Sequence, residues 1–248
     1  MYRAFKTVCA KAVWLVVLLS PMGHALEFDS GETQVSLLEL FSSQGCSSCP
    51  AAERWISKLK SHEDLWTRFV PVVFHVDYWD YLGWNDPFAS IKYSQRQRRY
   101  QLHGRCKAVY TPGFMIAGSE WAGWFSDPTL PVMTDQEVGQ LKVEIDAEGV
   151  HVRFIRSADN RGLLLNIAVL GFDRVTDIAR GENKGKQLPQ DFVVLSLQTH
   201  HSDDGMWNAK LPKIVDEKTE NSTRQAIAFW VSHGSDPSPI QATGGWLP

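Results

Sequence analysis

Cys46 and Cys49 stand two residues apart, with Ser47 and Ser48 between them and Pro50 directly after. Two thiols at that spacing can close into a disulfide or open into a dithiol, so the pair can store and release two electrons. The flanking sequence decides how reactive they are. Upstream, 35–41 is apolar on both faces, the pattern of a strand covered on both sides. Downstream, Ala52, Trp55, Ile56 and Leu59 fall on one helical stripe. Pro50 suits a first helical turn, where its missing N–H would be unpaired anyway. A strand-to-helix turn therefore places the cysteines at a helix N-terminus, whose free N–H groups and partial positive charge favour a thiolate. On this reading Cys46 attacks and Cys49 resolves the mixed disulfide.

Three other chemistries compete for the same residues. Zinc wants four ligands, and only Cys106 and a histidine are left to complete the set. A static disulfide is the second, although a bridge across two residues closes a very short loop and restricts the unfolded chain little. The third is a soft Cu(I) site in which His75 is the extra ligand. No metal site is assigned, and no organic cofactor is implied.

Other residues can reach the pair. Thr111-Pro112 opens the segment 111–118, a turn leading into a third short strand, and reads as a cis-proline turn brought against the cysteines, with a trans proline starting an edge strand as the competing reading. His75 and Asp77 end an apolar strand over 69–76, at the carboxyl edge where open parallel sheets gather ligands. Tyr78, Trp79, Tyr81 and Trp84 follow at once and, with Trp121 and Trp124, suggest an aromatic wall that grips apolar or unfolded peptide. Core packing is the competing reading of those rings. Cys106 reads as a buried inert thiol or as a third redox thiol. Lys92, Arg96, Arg98, Arg99, Arg105 and Lys107 read as a solvated basic face. His200-His201-Ser202-Asp203-Asp204 reads as a polar hairpin loop.

The elements that must position these residues alternate in the first half. Asp86-Pro87 predicts an N-cap followed by proline at the first position of a helix that runs to about His103 and stops at Gly104. From Leu141 onward apolar residues alternate through Val143, Ile145, Val150, Val152 and Phe154, around the turn residues 146–149. Runs at 163–170, 192–197 and 226–231 have strand length, which predicts an antiparallel, sandwich-like β domain. Asp127-Pro128 and Leu130-Pro131 punctuate the chain and place the domains at 26–130 and 131–248.

Residues 1–25 carry Arg3, Lys6 and Lys11, an apolar run over 12–19 and a small-residue end at Gly23-His24-Ala25. That layout predicts a signal peptide cleaved after Ala25; the run is too short for the roughly 20 residues that span a bilayer. Cleavage removes three basic residues and no acid, moving the net charge from −3 to −6, so no nucleic-acid footprint survives. It also removes Cys9, leaving an odd number of thiols for an oxidising compartment. With 248 residues, 44% of them hydrophobic, the chain can bury a sizeable core.

Longer strings carry a resemblance. Residues 39–50, from Glu39-Leu40-Phe41 to Cys49-Pro50, together with Phe74-His75-Val76-Asp77-Tyr78-Trp79-Asp80-Tyr81-Leu82-Gly83-Trp84, Asp86-Pro87-Phe88, Val109-Tyr110-Thr111-Pro112 and Arg180-Gly181-Glu182-Asn183, closely resemble the secreted bacterial family called domain of unknown function 1223. The resemblance implies an α/β thioredoxin-like domain followed by an antiparallel β domain. Carried over from thioredoxin-like enzymes, Cys46 is the attacking thiol, Cys49 the resolving one, and Thr111-Pro112 the turn that pairs with substrate backbone. Glu39 matches the buried acid that moves the proton of the resolving thiol, one residue farther from Cys46 than in thioredoxins. Gly-Cys-Ser-Ser-Cys-Pro replaces the thioredoxin Trp-Cys-Gly-Pro-Cys-Lys string, so the direction of electron flow is not transferred.

The expectation is an exported thiol-disulfide oxidoreductase, periplasmic or secreted, acting on protein or peptide thiols and disulfides. Tyr78, Trp79 and Trp84 would touch substrate, with no nucleic-acid partner and no stable membrane insertion after signal cleavage. A Cu(I)-binding protein or metallochaperone and a non-catalytic interaction module are the competing classes.

Overall fold

The computed structural model describes residues 25–131, 133–212 and 224–248. Its first strand, β1 (Leu26–Asp29), alternates in burial, as a strand with one wet face does. β2 (Ser36–Ser42) is buried at every position and leads through a short turn into α1 (Cys49–Ser57). β3 (Phe69–His75) is equally buried and pairs with β2 in parallel. The Val73 N–H points away from β2 to the Phe192 carbonyl at 2.9 Å. Pro71, two residues earlier, turns its nitrogen to that same side, beyond the pairing at Val73, so its missing N–H costs no ladder bond.

α2 (Ile91–Leu102) starts later than the Asp86-Pro87 signal predicts. Ser90 is its N-cap and accepts from the Lys92 N–H, while the Asp86 carboxylate is taken up by His75 and by the Gln44 N–H. β4 (Gly113–Ile116) pairs antiparallel with β2 and carries the two-residue β5 (Ser119–Glu120) on its outer edge.

The remaining strands are β6 (Gln140–Ile145), β7 (Val150–Ile155), β8 (Leu163–Gly171), β9 (Arg174–Asp177), β10 (Gln187–Gln190), β11 (Val193–Ser202), β12 (Met206–Ala209), β13 (Gln225–His233) and β14 (Asp236–Trp246). They do not form a sandwich of their own. β11 joins β3 in parallel, giving one eight-stranded mixed sheet ordered β14-β13-β8-β11-β3-β2-β4-β5. A four-stranded antiparallel sheet, β1-β6-β7-β12, packs on one face of it, and β9 and β10 form a separate hairpin.

This corrects the expected fold class. Strand makes up 42% of the described residues and helix of all kinds 15%, with two α-helices among them, which is a mostly-β architecture and not an α/β thioredoxin-like domain with an appended sandwich. Burial gives the physical reason. β8 is covered on both faces, a central-strand pattern, where a sandwich strand would keep one side wet. Leu163, Leu165 and Ile167 on one face of β8, with Ile227, Phe229 and Val231 of β13, meet Leu141, Val143, Val152 and Phe154 of the smaller sheet. Ala168, Leu170, Ala226, Ala228 and Trp230 face the other way and join the core built on β2, β3, α1 and α2.

Residues 1–24, which hold the expected signal peptide apart from Ala25, lie outside the described residues. Among the described residues no helix is long and apolar enough to cross a membrane.

Candidate functional site

β2 delivers the chain at Ser42, and Ser43-Gln44-Gly45 turn it into Cys46. Gly45 sits at a close approach, where a Cβ would meet the Cβ of Trp79 at 3.0 Å. Cys46 and Cys49 form a disulfide, their Cα atoms 5.5 Å apart, and α1 begins at Cys49. Ser48 precedes the helix without a side-chain capping bond, so the first-turn amides keep their positive field for the sulfur atoms. Ser48 Oγ lies 3.3 Å from Cys46 Sγ. Both cysteines are closed off, at 1% and 0% exposure.

Behind the disulfide lies a set of buried ionisable groups. Glu53 is one helical turn after Cys49, on the same face of α1, and accepts a hydrogen bond from the Ser42 hydroxyl. Its Oε1 is 3.6 Å from His75 Nε2, and His75 Nδ1 is 2.6 Å from Asp86 Oδ2. Asp86 also receives the N–H of Gln44, two residues before Cys46, at 2.8 Å. A chain of groups thus runs from Ser42 through Glu53, His75 and Asp86 back to the cysteine turn. Burial pushes the Glu53 carboxyl up, against the opposing pull of His75 and Ser42. Burial alone would push His75 down, but Asp86 and Glu53 outweigh it and raise the imidazole to about 8. Burial would raise Asp86, yet the His75 charge and the bonds from His75, Gln44 and Phe88 hold it low.

The shifts fix a pH dependence. The folded His75 value lies above its unfolded value of 6.5, so its stabilisation is complete below pH 6.5 and disappears as pH rises through about 8. The raised Glu53 acts in the same direction above pH 4.5, while the lowered Asp86 supplies stability above pH 3.8 that acid removes. Urea unfolding should therefore show a loss of about 2 kcal/mol between mildly acidic and mildly alkaline pH. His75→Gln should flatten that limb; an unchanged slope would contradict the buried charge pair.

Thr111-Pro112 is a cis peptide, and the Thr111 hydroxyl accepts from Trp79 Nε1 at 2.7 Å. Trp84 Nε1 donates to Gln44 Oε1 at 2.9 Å, and the Tyr78 hydroxyl to Gln97 Oε1 at 3.0 Å. Tyr78 and Trp79 also pack on the core, while Tyr81 points out at 80% exposure. The indole bonds tie Trp79 to the proline turn and Trp84 to the residue two before Cys46. Trp121 meets Phe114 edge-on and Trp124 meets it at a tilt, and Trp124 lines a cleft of about 690 Å³ with Ser47, Ser48, Pro50, Pro112, Glu53, Lys186 and Leu188.

Glu39 is placed differently from its assigned role. Its two oxygens are occupied by Arg96 Nε at 2.6 Å and by the Tyr100 hydroxyl. Asp77 accepts from the Ser94 hydroxyl of α2. Cys106 is a free, half-buried thiol whose pKa burial and Glu120 push up. Lys92, Arg98 and Arg99 lie exposed on α2. Arg105 pairs with Asp236 at 2.6 Å. Ser202 and Asp204 tie the β11–β12 hairpin, with His201 3.4 Å from Asp203. Among the described residues no cluster of three His, Cys, Asp or Glu could hold a metal ion.

Sequence reasoning missed four residues. Glu53 interrupts an otherwise apolar stripe one turn after Cys49, which is a readable signal. Asp86 looked like a cap. Glu182 and Asn183 lie more than 130 residues downstream, yet Glu182 accepts the Ser47 N–H and Asn183 donates to the Gln44 and Cys46 carbonyls. Only the string Arg180-Gly181-Glu182-Asn183 marked them, without a role.

Comparisons with known proteins give a family and a fold, and no activity. A model of the family described as a protein of unknown function (DUF1223) matches residues 37–232. The fold is similar to a crystal structure of a protein from Agrobacterium tumefaciens, with 24% identity, 86% of this chain and 94% of that one covered, and a TM-score of 0.57. It is also similar to HBP35 of Porphyromonas gingivalis, with 14% identity, 87% and 76% covered, and a TM-score of 0.51. No curated protein matches the chain.

Proposed function

We propose that this chain, which belongs to the DUF1223 family of proteins of unknown function, exchanges thiols and disulfides through Cys46 and Cys49. The observation that carries the reading is their disulfide at a strand-to-helix turn, with the buried Glu53 one turn along the same helix face. In the reduced form the Cys46 thiolate attacks a substrate disulfide; the new Cys46–substrate bond forms as the old S–S bond breaks, and the leaving thiolate takes a proton. Cys49 then loses its proton and attacks Cys46 sulfur, which restores the protein disulfide and releases the second substrate thiolate. Two electrons pass from the protein to the substrate, and every step reverses when the partner is the stronger reductant. Glu53, whose carboxyl burial pushes up and which lies against His75, can take and return the Cys49 proton.

The substrates are protein or peptide thiols and disulfides, and the site of action is the oxidising compartment to which residues 1–25 would direct the chain. Glu39 has no part in this reading. Reduced protein mixed with oxidised glutathione should lose two thiols, at Cys46 and Cys49, and release two equivalents of reduced glutathione while Cys106 stays alkylatable. Glutathione left untouched at every pH would contradict the proposal.

A further inference from the structure

The disulfide is buried under a hairpin, and the contacts that hold it there have a particular chemistry. β9 and β10 pair from Arg174↔Gln190 to Asp177↔Gln187, and the loop between them is itself fastened by Ile178 N–H to Lys186 O at 2.9 Å and Gly185 N–H to Ile178 O at 2.7 Å. Ile178 and Leu188 are the hairpin's buried apolar side chains, at 3% and 5% exposure. From this frame Asn183, fully buried, donates Nδ2 to the Gln44 carbonyl and to the Cys46 carbonyl, 2.9 Å each. Lys186 Nζ holds Asn183 Oδ1 at 2.9 Å, which fixes the amide orientation. Glu182 Oε2 accepts the Ser47 N–H at 3.0 Å. Gln44 Nε2 closes the base of the strap on Thr176 Oγ1 at 3.0 Å.

The loop thus satisfies three main-chain groups of the cysteine turn, one N–H and two C=O. It does so with one side-chain acceptor and one side-chain donor. Those main-chain groups are what an extended peptide would pair with through its own C=O and N–H. Cys46 is 1% exposed in this conformation, so an incoming sulfur has no open path to it unless the turn or its covering moves.

We infer that loop 178–186 is an internal substrate mimic: Glu182 and Asn183 occupy the backbone sites of the redox turn until an extended peptide displaces them. The inference rests on the exchange reading and names its substrate class, an extended segment carrying a cysteine, with a backbone C=O for Ser47 and a backbone N–H for Gln44 or Cys46. A folded protein with its cysteine on a rigid helix cannot supply that pairing. Small thiols reach the disulfide only through spontaneous opening of the loop, so they react slowly.

The test is the rate at which dithiothreitol reduces the oxidised full-length protein, read by alkylation and mass. Losing one of these bonds should raise the open fraction about tenfold. Asn183→Ala should therefore be reduced at least about tenfold faster than wild type. Glu182→Ala, at an exposed residue whose loss threatens the fold less, should also be faster. A synthetic peptide spanning 179–186 should slow reduction of Asn183→Ala, and a scrambled peptide should not. Reduction of both variants at the wild-type rate, or acceleration that neither peptide reverses, overturns the mimic while leaving exchange intact. A disulfide that dithiothreitol never opens in any variant overturns the exchange reading and this inference with it.

Discussion

Replacing Cys46 with serine is expected to abolish exchange with oxidised glutathione, a fall on the order of a thousandfold or more, because a hydroxyl near neutral pH supplies almost none of the nucleophile that a thiolate does. Replacing Cys49 should stop the reaction one step later. Cys46 can still attack and form its mixed disulfide, but nothing resolves it, so the protein accumulates one glutathione, visible as a single mass increment. The contrast between the two variants matters more than either loss. If Cys49→Ser stayed free and Cys46→Ser carried the adduct, the roles would be reversed; adducts on neither would leave no attacking thiol in the pair. Cys106, outside the disulfide and with its thiol pushed up by burial, should behave as wild type when changed to serine.

The largest expected loss of stability lies away from the cysteines. Arg96, 2% exposed, sits among the rings of Phe74, Tyr100 and Trp230 at 5.2 to 5.6 Å and donates to Glu39 and to the Pro237 carbonyl at 3.0 Å. Through these bonds α2 is tied to β2 and to β14 at once. Glu39→Ala leaves a buried guanidinium without its carboxylate, which typically costs 3–5 kcal/mol, or roughly 10 °C in melting temperature for a chain of this size. Adding Arg96→Met should recover much of that loss by removing the stranded charge, as urea titration of the single and double variants would show. A single variant within about 1 kcal/mol of wild type would mean that the pair adds nothing beyond its own desolvation. Where Glu39→Ala still folds, it should retain exchange, because both carboxylate oxygens are engaged by Arg96 and Tyr100.

The two kinds of residue were unequally legible in the sequence. The strand before Cys46 and the helix after Cys49 follow from burial runs, helical spacing and Pro50, all local signals. The parallel join of β3 to β11 has no local signal. Runs such as 163–170 read as strands, but continuous apolarity says only that both faces are covered and not by what. Taking those strands to be a separate sandwich therefore put the second half in the wrong architecture. Glu39 was given a proton-handling role through resemblance, and Arg96, read as part of a solvated basic face, is the buried partner that claims it. Local pattern cannot tell a surface arginine from one that crosses a core to a carboxylate 57 residues away. Glu53 was the recoverable miss: a charged residue on the buried stripe of a short helix, one turn from a cysteine, has to be satisfied by something. Glu182 and Asn183 reach the site only because a hairpin folds back over it.

The central claim is that Cys46 and Cys49 cycle as reagents. The direct measurement is equilibration of the metal-free protein in glutathione buffers of graded potential, with differential alkylation of each cysteine, repeated with Cu(I) present. The account predicts one reversible two-electron transition in which Cys46 and Cys49 move together and Cys106 does not, with the midpoint shifting with pH because protons accompany the electrons. A pair that stays oxidised across the range, or reduced protein that retains Cu(I) tightly and does not cycle, would contradict it.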